Sequence, residues 1–194
     1  MILYTILVEL DSVLSETAPL IDLYSNKELS FYGKSVKWFE KLEKLSNDNN
    51  WPIKAEIASL RGRIVTASRM QSDDVFAWMP KSKNRRRAKE ALTVECISTA
   101  VSRLMEFVQK DRELQAEAAN LLRQVLSVAI SKGLVEPRPK AAIDSAFITH
   151  SWRMAASDPE LTKMCAHIVG LVGAYNAYML FDKAFGDIFI NGHC

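Results

Sequence analysis

The sequence predicts an all-α fold, a single-domain bundle of about six to seven helices, on three observations. Apolar residues recur at steps of three and four along most of the chain, the period of a helix face. Residues 81–132 contain neither glycine nor proline, the two residues least tolerated inside helices. Candidate caps such as Asn50, Gly133 and Asp158 stand where the periodic stretches begin or end. A chain of 194 residues is long enough to bury most of its apolar surface in one domain.

The first element carries Leu3, Ile6, Leu7, Leu10, Val13 and Leu14, a stripe longer than a usual strand and therefore helical. No cation precedes this apolar start, and Glu9 and Asp11 follow it, so it reads as part of the fold rather than a signal peptide. Pro19 breaks or restarts the helix, and Ser25-Asn26 signals a turn.

Residues 30–70 read as an antiparallel helix hairpin. Phe31, Trp38, Leu42 and Leu45 mark its first helix, with Glu40 and Lys44 as an i,i+4 pair on the wet side. The polar run 47–50 ends that helix. Asn50 is the expected cap of the second, Pro52 lies in its first turn, and Ile53, Ile57, Leu60 and Ile64 form its seam.

Residues 71–83, with Asp73, Asp74, Phe76, Trp78, Met79 and Pro80, read as an exposed loop. The long helical segment of about 84–132 is expected to break near 111, because its apolar series fails at Asp111 inside a charged cluster. An unbroken rod would reach about 75 Å, against a diameter of roughly 40 Å for one compact body of this size.

Gly133 is a natural C-terminal cap, and Pro137 and Pro139 prevent continuation. A helix is expected over 141–155. Asp158 then caps another, with Pro159 in its first turn, running to about Phe185 and leaving 189–194 as a flexible tail. Gly170, Gly173, Ala174 and Ala177 give this last helix a small-residue strip, for internal packing or, as a competing use, a homodimer seam. His167 and Asn176 interrupt its apolar run, so a core helix rather than a membrane span is expected.

Known chemical spacings do not occur. Three cysteines without a C-x-x-C pair suit a reducing, cytoplasmic compartment. The histidines form no metal-ligand pattern, the seven glycines form no phosphate loop, and Asp144, Ser145, His150 and Ser151 diverge around a helix. No catalytic residue, metal or cofactor is therefore assigned. A helical enzyme whose site gathers His150, His167, Tyr175, Asn176 and Tyr178 is a third reading.

One segment departs from local physics. The net charge is only +2, yet Lys81, Lys83, Arg85, Arg86, Arg87 and Lys89 precede the first carboxylate of the long helix, Glu90. Removing these six from 25 basic residues leaves 19 against 23 acidic ones. Cations at a helix amino terminus each cost on the order of 0.3–1 kcal/mol, so stability alone does not place them there. Together with Phe76 and Trp78 they predict a basic, aromatic binding surface. The expected function is a non-catalytic cytoplasmic interaction protein, an adaptor, inhibitor, immunity factor or regulatory subunit, whose protein partner is acidic. Nucleic-acid binding through residues 81–89 is the alternative.

Overall fold

A computed structural model describes residues 1–69, 85–136 and 144–190, and the described residues are all-α. They form seven helices: α1 (Tyr4–Ser15), α2 (Thr17–Ser25), α3 (Phe31–Asp48), α4 (Lys54–Arg69), α5 (Arg85–Ser131), α6 (Ser145–Ser157) and α7 (Thr162–Ile190). The expected loop 71–83 lies outside the described residues. Of the expected tail 189–194, the first two residues continue α7 and the rest are also outside. The chain groups into two compact units, Val8–Val108 and Met1–Leu7 with Gln109–Cys194.

In the amino-terminal unit, α3 packs on α4 as the expected hairpin. Trp38, Phe39, Leu42 and Leu45 on α3 and Ile57, Leu60 and Ile64 on α4 are buried. The Trp38 indole N–H donates to the Val13 carbonyl at 2.8 Å, which fixes α1 against α3. The expected Glu40–Lys44 pair does not form. Glu40 faces Arg61 of α4 at 3.8 Å, where Glu43 holds the same guanidinium at 2.7 Å and draws it across the hairpin.

Three helices end in the same way. A residue with positive φ follows α2 (Lys27, 57°), α3 (Asn50, 49°) and α5 (Gly133, 71°). In each the next N–H reaches back five residues: Glu28 to Leu23 at 2.9 Å, Trp51 to Ser46 at 2.8 Å, and Leu134 to Ala129 at 2.9 Å. This pattern satisfies carbonyls that a helix end leaves open. Asn50 thus terminates α3 instead of capping α4, and Pro52 lies in the turn before Lys54. Lys27 occupies a conformation that suits glycine. Lys27→Gly is expected to raise stability by about 0.5–1 kcal/mol, measured as a higher urea midpoint at unchanged slope.

The expected break near 111 is absent: α5 is one helix of 47 residues, about 70 Å of chain. The buried series Ile97, Ala100, Leu104 and Val108 resumes as Gln115, Ala118, Leu122, Val125 and Ala129, and Asp111 falls in step between its two halves. Its polarity is not a fault in the seam, because its carboxylate accepts the Ile2 N–H at 3.0 Å. The diameter of one compact body does not limit α5, since residues 85–108 serve one unit and 109–131 the other.

The carboxy-terminal unit packs α6 on α7. The Asp144 carboxylate accepts the Phe147 N–H at 2.7 Å and starts α6, four residues later than the sequence suggests. The Asp158 carboxylate accepts the N–H groups of Glu160 at 3.0 Å and Leu161 at 3.2 Å in the turn that leads into α7, so Pro159 lies in that turn and the helix begins at Thr162, later than the sequence suggests. By length and composition α7 could cross a membrane, but Cys165, Ile168, Val172, Ala177, Phe181 and Phe185 along it are core residues of this unit. Gly173 interrupts α7 with φ 78° and ψ 157°. One turn on, the buried Asn176 amide accepts the Tyr4 N–H at 2.7 Å and donates to the Ile2 carbonyl at 3.2 Å. Gln115 donates to that same carbonyl at 3.1 Å. Three polar side chains from α5 and α7 thereby hold Ile2 and the first residue of α1, Tyr4.

Candidate functional site: two cationic surfaces of the amino-terminal unit

Of the eight residues singled out in the sequence, Phe76, Trp78, Lys81 and Lys83 lie outside the described residues, and Arg85 is described only as the first backbone position of α5. Arg86, Arg87 and Lys89 stand in or just beyond the first turn of that helix. The cations are therefore in the place the helix dipole disfavours.

Two of them have an internal reason to be there. Arg86 Nε contacts Glu90 at 2.6 Å, and its Nη2 donates to the Lys27 carbonyl at 2.5 Å, just past the end of α2. Lys89 Nζ donates to the Ser68 carbonyl at 3.1 Å, in the last turn of α4. A helix carboxyl end carries negative partial charge and open acceptors. The amino end of α5 thus brings its positive groups to the carboxyl ends of α2 and α4, which offsets the repulsion from its own dipole. Beside them is a groove of about 350 Å³ with Glu28, Leu29 and Tyr32 on its other side.

A second cationic surface escapes a reading centred on residues 81–89. On α3, Lys34, Lys37, Lys41 and Lys44 recur at steps of three, four and three, one stripe of a helix, and all four are exposed. Lys34, Lys37 and Lys41 border a groove of about 370 Å³ between α2 and α3, whose apolar walls include Pro19, Leu20, Leu23 and Trp38, and Lys44 continues the row beyond it. Lys41 is held by both Glu16 oxygens at 2.6 and 2.8 Å. Among the described residues Lys34, Lys37 and Lys44 face no carboxylate within ion-pair distance. The spacing carries this signal, but a Glu40–Lys44 pairing within the one helix conceals the row.

The scattered enzyme candidates are placed differently. Asn176 is committed to the backbone of residues 2–4, and the Tyr178 hydroxyl lies 3.2 Å from Thr149 Oγ1 and 3.4 Å from the Ser145 carbonyl. His150 and His167 are exposed, as is Tyr175. Burial pushes the thiols of Cys96 and Cys165 up from their ordinary range, which keeps them protonated and poor as nucleophiles. No group of His, Cys, Asp and Glu among the described residues is arranged to hold a metal. No family model matches the chain, and no curated protein or solved structure shows significant similarity to it.

Proposed function

We propose that this chain is a non-catalytic cytoplasmic interaction protein that binds an acidic protein partner on its amino-terminal unit. One observation carries the reading: the exposed lysine row of α3 along the rim of an apolar groove. Like charges three or four residues apart on a helix destabilise it by about 0.2–0.5 kcal/mol a pair, and Lys34, Lys37 and Lys44 have no carboxylate among the described residues to relieve them. Folding alone does not call for such a row, whereas an anionic partner does. Arg86 and Lys89 are engaged with helix ends, so the basic head of α5 gives less support than its charge suggests. The odd set of cysteines without close pairs supports the cytoplasmic assignment.

The test is co-purification from a native lysate, comparing the wild type with a Lys34→Glu, Lys37→Glu, Lys44→Glu variant. All three side chains are exposed, so equal folding is expected and is checked by circular dichroism. A protein recovered with the wild type and lost at least about tenfold with the variant is the expected result. Equal recovery by both, or no protein recovered by either, overturns the reading. Recovery of nucleic acid in place of protein would favour a phosphate-binding role for the same lysines.

A further inference from the structure

We infer that the α2–α3 groove receives one amphipathic helix of the partner, with carboxylates toward α3 and apolar side chains toward α2. This rests on the interaction reading above and specifies what occupies the site.

Three features select that occupant. The four lysines extend over eleven residues of α3, 34–44, a rise of about 15 Å along its axis, which is about three turns of a helix laid beside it. Their three-four-three spacing matches carboxylates on one face of such a helix, so each turn of the partner meets a cation. The walls supply the second half of the match: Pro19, Leu20 and Leu23 of α2 line the groove opposite the charged side chains of α3, and an amphipathic helix presents an apolar and a charged face together.

Other polyanions fit less well. A nucleic-acid backbone would meet the lysines but would leave the apolar wall unused. A membrane surface is broad, and recessed side chains such as the fully buried Trp38 do not reach into acyl chains. A helix of the partner can insert leucine-sized groups into a 370 Å³ recess while its carboxylates stay on the wet rim.

The probe is a fluorescein-labelled synthetic helix that repeats glutamate at the spacing of the lysines and places leucines on the adjoining face. Fluorescence anisotropy is measured with the full chain at two salt concentrations, with a glutamate-to-lysine peptide, a short DNA duplex and phosphatidylserine vesicles as competitors. The expected result is saturable binding that weakens with salt and falls at least about tenfold in the triple lysine variant. The Leu23→Ser variant should weaken the peptide severalfold while leaving any duplex binding unchanged, a split that a charge-only surface cannot produce. Circular dichroism and urea midpoints verify that both variants are folded.

No binding of the acidic peptide, or equal binding by wild type and triple variant, overturns the proposal. So does tighter binding of duplex or vesicles that is indifferent to Leu23. If the peptide fails while a lysate protein is still lost with the triple variant, the assigned occupant is wrong and the interaction reading survives. If both fail, both readings fall.

Discussion

Asn176→Leu is expected to destabilise the protein by about 2–4 kcal/mol, seen as a lower urea midpoint with little change in slope. Leucine has similar size, so the loss is one of hydrogen bonding rather than volume. Asn176 is 2 % exposed, and its carbonyl oxygen accepts the Tyr4 N–H at 2.7 Å. That N–H belongs to the first turn of α1, where no helical partner exists. With leucine in place it is left without an acceptor, at about 1–3 kcal/mol. The Ile2 carbonyl loses one of two donors but keeps Gln115 at 3.1 Å, so its share is a single ordinary bond, about 1 kcal/mol. Tyr175→Leu, at a half-exposed neighbouring position, is the control and should change stability by no more than about 0.5 kcal/mol. Equal effects at 175 and 176 would refute the assigned role of the amide.

Gly173→Ala is expected to cost about 1–3 kcal/mol, while Gly170→Ala should stabilise by about 0.5–1 kcal/mol. The two glycines lie three residues apart in α7 and call for opposite signs. Gly170 has helical backbone and nothing within 4 Å of an added Cβ, so alanine there only restricts the unfolded chain. Gly173 has φ 78° and ψ 157°, a region that residues with a Cβ essentially do not visit. Space is not the obstacle, since a Cβ would meet only Met1 Sδ at 3.8 Å. The obstacle is the backbone, and straightening it would move Asn176 away from Ile2 and Tyr4. Thermal melts of both variants check the pair: a stabilised Gly173→Ala protein would mean that α7 does not require the interruption.

These two sites also mark the limit of what the sequence discloses. The α3–α4 hairpin is legible because its information is local: an apolar stripe on each helix, a polar turn between them, and proline near the second start. Asp158 is legible as the polar group of the turn before α7 for the same reason. Asp111 is ambiguous, because a carboxylate in an apolar seam looks like a break until its partner is known, and that partner is 109 residues away. Gly173 is ambiguous likewise, since a glycine among small residues suits close packing as well as a positive φ. Asn176 suggested a polar pocket, yet its partners lie 172 and 174 residues distant and belong to the backbone, which leaves no side-chain pattern to find.

At the candidate site the difficulty was one of weighting. The run of cations at the start of α5 is conspicuous in one dimension, but the carbonyls that accept from Arg86 and Lys89 lie at the carboxyl ends of α2 and α4 and carry no sequence signature. The row on α3 is diluted by intervening Glu40 and Glu43 and emerges only when the helix is rolled up. Pairing Glu40 with Arg61 of the neighbouring helix then leaves Lys44 facing outward, which a rule confined to one helix assigns the other way.

The docking of Arg86 and Lys89 onto two helix ends bears on any mutational survey of this chain. Alanine at either position removes a clasp between distant stretches of backbone, so the yield of soluble material should drop along with whatever activity is scored. Such positions would rank as hits without ever touching a ligand. Scoring abundance in parallel separates them from the lysines of α3, whose replacement should silence recognition in a molecule that accumulates normally.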